Sequence, residues 1–112
     1  MASVAFQRVA KTADVPSGRG LAVRVGGREL GIFRVGDLYH AIENACPHAG
    51  APLSEGDLEG STVICAAHGW EFDVCSGIAG SHSFVAPIPC FAVHVEGDEI
   101  FVDPGPEPAR RG

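Results

Sequence analysis

A chain of 112 residues in which 46% are apolar is long enough for one domain with a modest core, and too apolar for wholesale disorder. Fourteen acidic residues against eight basic ones leave a net charge of −6, which argues against nucleic acid, whose binding draws on Lys and Arg neutralising phosphate. No apolar run is long enough to cross a bilayer or to form a signal peptide's hydrophobic region. No membrane association and a cytoplasmic location with reduced thiols are therefore expected.

In chain order, Thr12 to Val15 hints at a single helical turn. Leu21, Val23 and Val25 then alternate with other residues up to Gly26-Gly27, and Leu30, Ile32, Phe33 and Val35 run up to Gly36-Asp37. Leu38, His40 and Ile42 follow on one face of a further strand, with Tyr39 and Ala41 on the other. Thr62-Val63-Ile64 and Glu71-Phe72-Asp73-Val74 flank a loop. Phe91, Val93 and Val95 lead through Gly97-Asp98 into Ile100 and Val102. Glycine dipeptides between alternating runs mark hairpins, because tight hairpin turns need residues that tolerate positive φ. The fold class expected is all-β, a small antiparallel sandwich or barrel of hairpins. Residues 4–103 form the domain, and 104–112, without apolar periodicity, form a flexible tail.

Two stretches interrupt this pattern, "CPHAGAPL" from Cys46 and "CAAHGW" from Cys65. Each puts a cysteine and a histidine into a loop at a strand end. In a reducing compartment such residues point to metal or redox chemistry rather than a disulfide framework. Two thiolates and two imidazoles suit a single tetrahedral zinc ion, or a two-iron, two-sulfide centre with cysteines on one iron and histidines on the other. Zinc sites usually leave two or more residues between paired ligands, whereas one residue separates Cys46 from His48. That spacing suits two adjacent irons, and a zinc-stabilised interaction module stays as the other reading of the residues.

The order Cys-x-His, sixteen residues, Cys-x-x-His, within "CPHAGAPLSEG" and "CAAHGWEFDVCSG", resembles the Rieske iron–sulfur family. The resemblance runs from about Val4 to Asp103 and includes "ADVPSG" and "IPCFAVHVEGDEIFVD". It implies the Rieske fold, with a cluster-binding subdomain made of the two loops and one [2Fe–2S] cluster per chain. Cys46 and Cys65 would hold the inner iron, His48 and His68 the outer one, and Gly50 and Gly69 would let the loops turn.

The family's high-potential members carry a disulfide between the loops where this chain has Ala51 and Ala67. They also carry hydroxyl residues where it has Trp70 and Phe72. What remains resembles a low-potential Rieske-type ferredoxin of bacterial oxygenase systems, an electron carrier rather than an enzyme. Such a carrier passes one electron from a flavin-dependent reductase to a terminal oxygenase, an aromatic-ring dioxygenase or monooxygenase, and works as a monomer. The other reading within the family is the small subunit of an assimilatory NAD(P)H nitrite reductase. A catalytic iron domain is not expected, since only His40, His82 and His94 remain and they are widely separated.

Of the other residues, Cys75 and Cys90 are expected to be buried and inert, and His40 and His94 structural. His82, in the proline-bearing segment from Ser81 to Pro89, is expected to be solvated. Trp70 is placed to shield the centre from water. Glu43, Glu55, Asp57, Glu59 and Glu71 flank the two loops.

Hydrogen bonds to sulfur stabilise the added electron, so their loss should leave the midpoint potential near the bottom of the Rieske range, roughly −150 mV. A redox titration checks this, and a midpoint above zero contradicts the low-potential assignment.

Overall fold

The structure is a computed structural model and describes residues 6–45, 51–66, 69–78, 80 and 88–104. Its strands are β1 (Gln7–Lys11), β2 (Leu21–Val25), β3 (Arg28–Val35), β4 (Leu38–Glu43), β5 (Asp57–Glu59), β6 (Thr62–Ile64), β7 (Glu71–Asp73), β8 (Cys90–Glu96) and β9 (Glu99–Asp103). Short 3-10 turns cover Thr12–Asp14 and Leu53–Glu55. The fold is all-β, as the hairpin pattern implies. The expected helical turn after Lys11 is one 3-10 turn, closed by Asp14 accepting from the Lys11 N–H at 3.0 Å.

Six strands form an antiparallel sheet in the order β1-β9-β8-β4-β3-β2, and its two edge strands approach each other so that it nearly closes. The second sheet is the meander β5-β6-β7. The β2–β3 hairpin turns at Gly26-Gly27, where φ is +59° and +79°, as a tight hairpin turn requires. Register across it is regular, Leu21 facing Ile32 and Val25 facing Arg28.

Two apolar clusters hold the sheets. Val15, Val25, Leu30, Ile32, Ala41, Ile100 and Val102 pack together within the larger sheet. Phe33 and Ile42, from the opposite face of β3 and β4, pack instead with Leu58, Val63 and Phe72 of the smaller sheet, joined by Leu53, Cys65, Val74 and Ile88. Strands β3 and β4 are thus buried on both sides, which is why Leu30, Ile32 and Phe33 read as a nearly continuous apolar run. Leu38, expected on a face with Ile42, lies at the turn and is 65% exposed.

Pro104, the first residue of the expected tail, is buried, and its carbonyl accepts from Arg28 Nε at 3.0 Å. Residues 105–112 lie outside the described residues.

The smaller sheet is locked to the turn before it at Gly56. A Cβ there would overlap the Ile64 carbonyl, which is backbone and cannot swing aside. Gly56→Ala should therefore destabilise the fold by about 2–3 kcal/mol through overpacking. Urea unfolding measures this as a lowered midpoint with an unchanged slope.

Candidate metal centre

Cys65 follows β6 directly and is 1% exposed, its thiol free of any disulfide. The backbone folds tightly behind it. Cys65 N–H donates to the Trp70 carbonyl at 2.7 Å, and Gly69 N–H donates to the Cys65 carbonyl at 2.8 Å. Gly69 takes φ +74°, which the reversal between the two bonds demands and which a side chain would resist. Residues 67–68 lie inside this closed turn by sequence and outside the described residues, so His68 has no structural account.

Cys46 and His48 lie outside the described residues too, but both flanks of their loop are placed. Asn44, just past β4, donates its N–H to the Glu29 carbonyl at 3.0 Å, and its Oδ1 accepts from Ser54 N–H at 2.7 Å. Ser54 lies in the 3-10 turn beyond the loop, so the two ends of the loop meet.

Leu53 lies in the same apolar cluster as Cys65, with Ala51 and Trp70 packed against it. The flank of the first loop and the start of the second therefore share one apolar floor. Trp70, expected to shield the centre from water, packs beside Phe72 with ring centroids 6.4 Å apart. Among the described residues no group of three metal donors comes together, and Cys65 is the one expected ligand they include.

Sequence reading overlooked Asn44. It is 4% exposed and, with Ser54, makes up the buried polar side chains of the described residues. A lone Asn ahead of a Pro/Gly-rich loop looks like ordinary turn chemistry, and only its burial marks it.

Most of the other polar residues face solvent. Cys75 and Cys90, expected to be buried, are both exposed. Cys75 Sγ lies 3.4 Å from His40 Nε2, which gives that histidine a structural partner. His94 lies between the rings of Phe6 and Phe101, with centroids 5.8 and 6.1 Å away. His82 lies outside the described residues. Glu55, Asp57, Glu59 and Glu71 are exposed, while Glu43 stands 3.9 Å from Arg28.

An all-β fold in which a buried cysteine, followed by a turn bent at Gly69, shares an apolar cluster with the flank of the "CPHAGAPL" loop suits a small iron–sulfur domain. Residues 5–92 match the Rieske [2Fe-2S] domain, and the chain belongs to that family.

Among characterised proteins it is 42% identical over 79 residues to Ferredoxin CarAc of Metapseudomonas resinovorans, covering 70% of this chain and 74% of that one. It is 36% identical over 90 residues to the ferredoxin component of the naphthalene 1,2-dioxygenase system of Pseudomonas aeruginosa, covering 80% and 86%. Among solved structures, the complex of reduced oxygenase and oxidized ferredoxin in carbazole 1,9a-dioxygenase contains a chain that superposes with a TM-score of 0.81. That chain is 35% identical, and the match covers 96% of this chain and 100% of that one. A chain described as a nitrite reductase small subunit, from Mycobacterium tuberculosis, is 24% identical with a TM-score of 0.79 over 88% of this chain and 93% of that one, and shares the fold alone.

Partial burial, then the nearby Asp73 charge, push the Cys75 thiol above its ordinary range, and the same two causes followed by Cys75 itself raise Cys90. The neutral thiol is the unreactive form, so both residues should alkylate slowly at neutral pH despite their exposure. The rate should climb only once pH passes the range of a free thiol. Mass-spectrometric labelling with iodoacetamide across pH 7–10 checks this, and labelling of Cys75 at neutral pH as fast as a model thiol contradicts it.

Proposed function

We propose that this chain is a Rieske-type ferredoxin, taking one electron from a flavin-dependent reductase and passing it to the terminal oxygenase of an aromatic-ring-hydroxylating system. The observation that carries the reading is the buried thiol of Cys65 on the same apolar floor as the flank of the "CPHAGAPL" loop. The relatives named as dioxygenase-system ferredoxins, and the solved ferredoxin held in complex with its oxygenase, support it. The working unit is residues 4–103, closed by the packed Pro104, with the rest of 104–112 as a tail, acting as a monomer in the cytoplasm. Among the described residues no helix is long and apolar enough to cross a membrane.

The donor set fits a two-iron, two-sulfide group. Cys46 and Cys65 would hold one iron and His48 and His68 the other, with neutral imidazoles making the whole less anionic than a four-cysteine site. When bound, the group supplies a one-electron acceptor that carries out no bond chemistry on an organic substrate.

The chain's own part is positional. Burial of Cys65 keeps bulk water from its sulfur, as suits a donor held by a metal inside a dry shell. The closed turn from Cys65 to Trp70 fixes where that sulfur points. Trp70, partly buried against the same cluster, covers the side of the loop facing Phe72.

Iron and acid-labile sulfide assay with EPR of the reduced protein tests the reading. Wild-type protein should be reddish-brown with about two irons and two sulfides per chain, and Cys65→Ser should be colourless with most of its iron gone. A colourless wild type prepared anaerobically, or a Cys65→Ser variant with full iron and an unchanged spectrum, overturns it.

A further inference from the structure

Asn44 is buried, carries no charge, and uses both ends of its amide. Its Oδ1 accepts from Ser54 N–H at 2.7 Å, and its Nδ2 donates to Glu29 Oε2 at 3.3 Å. The partners fix which end is which, because a backbone N–H can only donate and a carboxylate only accepts at neutral pH. Its own N–H donates to the Glu29 carbonyl at 3.0 Å, and Ser54 returns its carbonyl to Gly20 N–H at 3.1 Å. Glu29 sits in β3, opposite Arg24 of β2, whose Nη2 lies 3.7 Å from Glu29 Oε1. One amide thus ties the entry and exit of a loop to a strand of the larger sheet.

The loop so closed runs from residue 45 to residue 53 and contains Cys46 and His48. Asn44 stands two residues before Cys46, and the chain ends it joins are ten residues apart. The apolar floor alone could tolerate a slide of this loop, since dispersion contacts are not directional. A two-ended hydrogen bond to a charged partner is directional and is worth more than a neutral one.

We propose that Asn44 is a positioning residue for the metal centre. It acts through Glu29 and Ser54 to set the register of the Cys46–His48 loop against the Cys65 loop, and touches no metal itself. The inference rests on the iron–sulfur reading above.

The test uses full-length holoprotein and the pair N44D and E29Q. N44D keeps the shape and the acceptor for Ser54 but turns the donor that faces Glu29 into a second carboxylate. E29Q in the same chain supplies an amide donor for that carboxylate and removes the repulsion.

Loss of visible absorption in excess iron chelator should be about tenfold faster in N44D, the scale of one charge-assisted hydrogen bond, and its reduced-state EPR lines should broaden. E29Q/N44D should return to within about twofold of wild type, because the two sites couple directly. A general loss of stability would not be repaired by a change at the half-exposed Glu29.

An N44D protein with wild-type half-life and spectrum, or a double variant no better than N44D, overturns the proposal. Should N44D fail to fold, E29A leaves the Ser54 bond intact and should still speed loss about threefold by removing the acceptor of Asn44 Nδ2; no change overturns the proposal equally. Wild type without iron, sulfide and EPR signal sinks the reading of the centre and this role with it. Loaded wild type beside an unaffected N44D sinks the positioning role alone.

Discussion

One constraint organises the molecule: the flank of the "CPHAGAPL" loop and the buried start of the "CAAHGW" turn must share a single apolar floor. Leu53 comes from beyond the first loop, Val63 from before the second, Cys65 from its start, and Phe33 and Ile42 from the larger sheet. Without the smaller sheet there would be no inner face of Leu58, Val63 and Phe72 to complete that floor. Without Phe33 and Ile42 the smaller sheet would have nothing to pack on, and three strands of three residues each do not stand alone. The larger sheet can supply them because β3 and β4 have a second apolar face to spare.

Charge is divided unevenly along the sequence. All eight Lys and Arg residues fall within positions 8–34 and 110–111, so the stretch from Val35 to Ala109, which includes both loops, holds no fixed cation. It holds twelve of the fourteen acidic residues, since Asp14 and Glu29 alone lie outside it. An electron added to a chain of net charge −6 meets net negative charge, partly screened by solvent and salt. Its sign agrees with the low potential implied by Trp70 and Phe72 standing where hydroxyl donors would be. The two imidazoles proposed as ligands would pull the other way, and the balance between ligand type and surrounding charge would set where the potential lies.

Much of this was legible in the sequence, and the gaps have definite causes. Gly26-Gly27 and Gly97-Asp98 marked their hairpins because turn geometry restricts which residues fit. Strand β5 escaped notice because three residues, two of them acidic, offer no alternation to count. The double burial of β3 and β4 was hidden too, since periodicity along one strand cannot reveal a second layer contributed by distant residues. Cys75 and Cys90 were misjudged on composition, as cysteine is usually buried, whereas both lie at strand ends where the chain turns out toward solvent. The four expected ligands stood out by order and spacing. Asn44 did not, because its importance lies in where its amide ends up, and nothing local in the sequence shows that.

The loop bases share a device. Asn44 meets Ser54, Cys65 meets Trp70, and Gly77 N–H and C=O are both engaged, by Asp73 and by Ile88, at the foot of the segment that runs to Pro87. Each closure shortens the free span of chain and so removes loop entropy that would otherwise favour many arrangements. A group that only stores and releases an electron gains from such fixity, because rearrangement of its ligands between oxidised and reduced states raises the barrier to transfer. Preorganised dipoles and donors avoid that cost by being in place beforehand. The hydrogen-bonded bases therefore belong to electron transfer as much as to the fold.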